Sequence, residues 1–134
     1  MNRNRQVLRL LLLAGGVYFL LVSAAHLIGM KVPGLYIYFN VPSTVYQDRI
    51  ISLLAFGWAV FFTTGAADPD NKALVRAILI AGAGAIAGLC GINLATDFES
   101  LSPDIDFPVF WSEIALLVIY WLSLVISYRR TRGQ

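Results

Sequence analysis

The sequence predicts an all-α membrane protein, a single bundle of four transmembrane helices with both termini on the cytoplasmic side. Three observations carry this expectation. Apolar runs at 7–30, 50–67, 73–95 and 108–127 each approach the ~20 residues an α-helix needs to cross about 30 Å of hydrocarbon. Backbone polar groups in lipid must be satisfied within the segment, so such runs become helices. Of the ten Lys and Arg residues, eight fall on one side of the threaded chain: Arg3, Arg5, Arg9, Lys72, Arg76, Arg129, Arg130 and Arg132. Only Lys31 and Arg49 fall on the other, and the positive-inside rule then places the termini in the cytoplasm.

At 134 residues the chain has room for this one domain and no soluble one. The predicted spans are 7–30, 45–67, 72–95 and 108–128, with outer loops 31–44 and 96–107 and an inner loop 68–71. Arg3, Arg5 and Arg9 cluster at the start of span one. Val22-Ser23-Ala24 has the small-residue character of a secretory cleavage site, but the apolar run continues to Met30, so the span is read as uncleaved. Pro33-Gly34 is the predicted end of the helix.

In the outer loop, Leu35-Tyr36-Ile37-Tyr38-Phe39 alternates apolar and amphipathic residues. Two readings stand: an aromatic belt at headgroup depth, or a lid or short strand across the outer mouth of the bundle. Thr44-Val45-Tyr46-Gln47 is a capping-box pattern with Thr44 as N-cap, starting helix two near Val45. Asp48, Ser52, Ala55, Ala59 and Thr63 recur on one face of that helix, predicted to pack inward, while Leu53, Phe56 and Val60 look toward lipid.

Asp68-Pro69-Asp70 forms the tight inner turn, with Asp70 the expected N-cap of helix three. Helix three carries Gly84, Gly88 and Gly91 among alanines; the Gly84/Gly88 pair is a GxxxG spacing that lets helix backbones approach closely. Small residues on several faces predict a central helix, packed within the chain or offering a docking face to a second protein. The loop before span four holds Asp97, Glu99, Asp104 and Asp106, a solvated acidic segment punctuated by Ser102-Pro103, and Pro108 suits the first turn of helix four.

One constellation bears on function. Ser23 and His26, Asp48 and Ser52, Asn93 and Thr96, and Ser112 and Glu113 all fall in one layer beneath the outer surface. Gly15, Phe19, Ser23 and His26 share a face of helix one, and Glu113 aligns with Leu117 and Tyr120 on helix four. If these faces meet, His26, Asp48, Asn93 and Glu113 surround one pocket for a ligand or a proton. Ionisable residues inside membrane segments are costly and tend to pair or to line a pathway. A quinone or similar amphipathic ligand would find aromatics and one or two polar contacts there.

The chemistry excluded is broad. The single cysteine, Cys90, rules out an internal disulfide and a Cys-based zinc site, and one histidine gives little transition-metal affinity. There is no zincin motif, nucleophile elbow or phosphate-cradling loop, so no catalytic residue is assigned and the chain reads as a non-enzyme. No basic stripe alternates with aromatics, so nucleic acid is not an expected partner. The sequence specifies no cofactor.

The four-span layout, with a Gly-rich third helix and an outer loop after the first, resembles the DoxX-like small membrane proteins. The likeness covers topology alone and brings over no site residue. The expected role is an accessory or assembly subunit of a larger complex in the bacterial inner membrane, its partners the bilayer and other membrane subunits or copies of itself. The alternatives are a binding protein for a quinone- or lipid-like ligand and a small oligomeric transporter.

Overall fold

A computed structural model describes residues 3–101 and 105–132. Four helices run in alternating directions: α1 (Arg3–Ile28), α2 (Val45–Ala67), α3 (Lys72–Ala95) and α4 (Phe107–Arg132). Each is long and apolar enough to cross a membrane. Among the described residues there is no β-strand, so segment 31–44 is not the short strand its alternation allowed. Ser102, Pro103 and Asp104 lie outside the described residues.

Local chemistry explains most helix ends. The capping box of α2 is complete: Gln47 N–H donates to Thr44 Oγ1 at 3.2 Å and Thr44 N–H donates to Gln47 Oε1 at 2.8 Å. Two ends differ from expectation. α1 stops at Ile28, ahead of Pro33-Gly34, because Gly29 adopts a φ of 70° that other residues rarely take. Gly29 N–H donates to His26 O at 3.3 Å and Met30 N–H to Ala25 O at 2.9 Å, a Schellman motif that satisfies the last carbonyls. The N-cap of α3 is Asn71 and not Asp70; the Asn71 side chain accepts from Leu74 N–H at 3.1 Å, while Asp70 pairs with Arg5. An ion pair from α1 therefore takes the carboxylate away from the cap.

α1 and α2 form the most intimate pair. Small residues permit it: a Cβ on Gly16 would collide with the Thr63 methyl, and one on Gly15 with Phe62 and the Tyr120 hydroxyl. The inward face of α2 is Asp48, Ser52, Ala55, Ala59, Phe62 and Ala66, while Leu53, Phe56 and Val60 are exposed. Thr63 lies at the edge of the expected face, its methyl against Gly16 of α1. It is exposed, and its hydroxyl donates back to Ala59 O at 2.9 Å.

The expectation of a central third helix is corrected. α3 is the least buried of the four; it packs along α4 and only lightly on α2. Its seam with α4 is Gly82 against Trp121, whose Nε1–H donates to Leu79 O at 2.8 Å. Gly84, Gly88 and Gly91 face open space. Their spacing marks a smooth surface that no helix of this chain occupies.

The core lies toward the end that carries both termini and most of the arginines, called here the basic end. Leu8, Leu12, Val75, Ile78 and Leu124 are almost wholly buried there, with Phe62 and Ala66. Around its rim Arg76 Nε–H donates to Tyr128 Oη at 3.1 Å. The opposite, loop end is built differently.

Candidate functional site

The loop end is closed by segment 31–44, folded inward as a lid. Val32-Pro33-Gly34-Leu35 forms a turn closed by Leu35 N–H to Val32 O at 3.3 Å. Gly34 at its third position has a φ of 82°, as a type II turn requires. Tyr36 is 5% exposed and Tyr38 also points into the bundle. Tyr36 and Tyr38 therefore cap the interior, as the lid reading expects.

Beneath the lid, α1 and α2 bring together His26 and Asp48, each 6% exposed. His26 Nδ1 stands 3.5 Å from Asp48 Oδ1. This is an ion-pair distance without hydrogen-bond geometry, so Nδ1 keeps its bonding capacity. The Ser43 hydroxyl, 3.1 Å from both Asp48 oxygens, holds the carboxylate from the lid side. The Tyr36 ring stacks on the imidazole with centroids 3.5 Å apart, and its hydroxyl donates to Ala25 O at 3.3 Å. Burial and then the Asp48 charge push the Tyr36 phenol above its ordinary range, which keeps it a donor. One turn deeper, Ser52 Oγ–H donates to Ser23 O at 2.8 Å and pins the two helices together.

Asn93 and Glu113 belong to other anchors. Asn93 Oδ1 accepts from Tyr38 Oη at 2.8 Å, and its buried Nδ2 has no hydrogen-bond partner. Tyr38 is fixed by stacking on Phe98 and by the edge of Phe110, and burial raises its pKa as well. Glu113 Oε1 accepts from Gly34 N–H at 2.9 Å, and Tyr18 Oη–H donates to Gly34 O at 2.8 Å. One residue of the lid, Gly34, is thus clamped between α1 and α4. Glu113 Oε2 is buried with no hydrogen-bond partner.

The four predicted residues therefore do not surround one pocket. His26 and Asp48 line a cavity of about 350 Å³ that runs from the lid along Trp58 and Phe62 to Ile78 and Leu124. Glu113 lines a second cavity of about 310 Å³ between α1 and α4, with Tyr18 and Tyr120. Asn93 lines neither cavity and holds the lid. The reason is directional: depth puts a residue in the layer, but its angle around its own helix decides which space it meets.

The sequence reading missed Tyr18, Tyr36, Tyr38 and Ser43 as partners of these groups. The alternation at 35–39 was the only signal for Tyr36 and Tyr38 and left the direction of their rings open; Tyr18 and Ser43 had none. Among the described residues, no three His, Cys, Asp or Glu side chains gather as metal ligands would. Compared with protein-family models, with curated proteins and with solved structures, the chain matches none.

Proposed function

We propose that this chain is a multi-pass membrane protein that binds a quinone- or lipid-like molecule beneath the 31–44 lid. The observation that carries the reading is the larger cavity, whose long walls are almost entirely apolar and whose polar groups concentrate at one end. A ring or neutral head group fits the polar end, where His26 and Asp48 offer hydrogen bonds, and its tail fits the Trp58–Phe62 walls. An anionic head group is disfavoured by the Asp48 carboxylate. The cavity's lining includes Ile51 on α2 and Ala85 on α3, both exposed, between two helices that barely touch. A molecule dissolved in the bilayer would enter there, sideways.

The basic end faces the cytoplasm in this proposal, by the positive-inside rule, and the bacterial inner membrane is the proposed location. The open Gly84/Gly88 face supports a second reading, the accessory subunit, since close backbone approach by another membrane helix needs such a surface. A transporter has less support: the apolar core offers a permeant ion no polar continuation toward the basic end.

Native mass spectrometry of the protein, extracted from its own membrane in mild detergent, tests the proposal. The expected result is a chain carrying a stoichiometric small-molecule mass. His26→Ala and Ala85→Phe should each reduce that mass without unfolding the chain. A bare chain would sink the ligand reading, and a larger assembly without added small mass would move the conclusion to the accessory subunit.

A further inference from the structure

The second cavity carries a chemistry of its own. It lies between α1 and α4 and is lined by Gly15, Tyr18, Ile37, Leu117 and Tyr120 besides Glu113. Its volume of about 310 Å³ has room for a compact apolar molecule. A carboxylate has about four lone-pair sites on two oxygens. Here Oε1 is answered by Gly34 N–H, whereas Oε2 is buried and has no hydrogen-bond partner. Leaving a buried acceptor unanswered is costly, more so when the group is charged. No Lys, Arg or His lines this cavity. Lys31, the one cation of segment 31–44, directs its ammonium to Val41 O at 3.3 Å. The site supplies one acceptor, two phenol rings and apolar walls, and it lacks a cation.

We infer that this cavity is a second binding site, selective for a hydrophobic amine whose ammonium group donates to Glu113 Oε2. The ammonium provides both the missing proton donor and the missing charge. A charge-assisted N–H···O bond is about twice as strong as a neutral one. The Tyr18 and Tyr120 rings add the attraction of aromatic faces for a cation. The apolar body of the ligand takes the place of empty space beside Leu117 and Ile37. A metal ion is a poor fit, because one carboxylate supplies too few oxygens for Ca²⁺ or Mg²⁺. A neutral alcohol of the same shape satisfies the hydrogen bond and leaves the charge unmatched. The inference is independent of the ligand proposed for the His26 cavity, although Tyr18, Ile37, Leu117 and Tyr120 wall both spaces.

The test is the binding of labelled 1-adamantylamine by the full chain in phosphatidylcholine nanodiscs, with empty discs subtracted and 1-adamantanol as the neutral analogue of the same shape. Glu113→Gln keeps a carbonyl oxygen for Gly34 N–H, so the lid anchor survives while the charge is removed. The expected result is saturable amine binding that weakens about tenfold or more in Glu113→Gln, the scale of one charge-assisted hydrogen bond. Adamantanol should bind more weakly to the wild type and lose little in the variant. Ala14→Phe, which fills the cavity from α1, should abolish amine binding with the helical circular dichroism unchanged. His26→Ala should leave it intact. Absence of saturable binding to the folded wild-type chain overturns the inference. So does equal binding by Glu113→Gln, or a loss in His26→Ala as large as that in Glu113→Gln.

Discussion

At the basic end, Leu8, Leu12, Val75, Ile78 and Leu124 interlock with almost no exposure, and the polar residues sit around the rim. At the loop end, each helix brings a polar side chain inward, and a lid of tyrosines covers what lies between. The same four helices thus make a close-packed plug at one end and a divided chamber at the other. A packed end needs small residues at its crossings, and Gly65, against Ile78 and Leu12, provides one. A chambered end needs bulk held apart, and the aromatic residues of the lid and α4 do that through directional hydrogen bonds. The larger cavity reaches the plug at Phe62, Ile78 and Leu124; elsewhere stability and binding are assigned to different regions.

That division can be broken by mutation. The largest expected effect is at the plug: Leu12→Ala should cost about 3 kcal/mol through the cavity it leaves, measured by reversible unfolding in mixed micelles. Ligand retention below the melting point should be unchanged. If Leu12→Ala lowered retention as strongly as it lowers stability, the two regions would not be separable.

Next comes the crossing between them. Gly15→Ala drives a methyl into Phe62 and the Tyr120 hydroxyl and should cost about 2 kcal/mol. The same unfolding measurement checks it. A neutral outcome would mean that α4 slides away from α1 with little resistance.

The lid should respond more gently. Tyr38→Phe removes the donor to Asn93 Oδ1, for about 1 kcal/mol. It should speed amide exchange within residues 31–44 while Leu8–Leu12 exchange at their former rate. Uniform acceleration through the bundle would show that the lid supports the fold as well as the site.

The smallest effect sharpens the contrast between glycines. Gly88→Ala meets nothing within 4 Å and should shift the stability of the isolated chain by no more than about 0.5 kcal/mol. Analytical ultracentrifugation or crosslinking in the native membrane would then ask whether that face is used. A wild-type complex that falls apart in Gly88→Leu favours the accessory-subunit reading.

Local rules made much of this legible. Thr44 and Gln47 announce the start of α2 because a capping box involves residues three apart, with no tertiary contact. The inward face of α2 follows from helical period down to Ala59, then drifts to Phe62 and leaves Thr63 at its edge, against Gly16. Gly29 ends α1 in place of Pro33-Gly34, a signal that was present but outranked by a more conspicuous pair. Asp70 lost the capping role to Asn71 because Arg5, 65 positions away in the chain, holds its carboxylate. No window of local sequence contains that competition.

By itself the sequence determined four helices long and apolar enough to span a membrane, the buried face of α2, and a polar layer near one end. Length, hydropathy and period are properties of each segment alone, so they could be read there. Only the tertiary structure decided that α3 stands at the margin, that the lid turns its tyrosines inward, and that His26–Asp48 and Glu113 occupy separate cavities. Those outcomes depend on the rotation of each helix about its axis, and that angle is set by side chains on other helices meeting Gly15, Gly16 and Gly82.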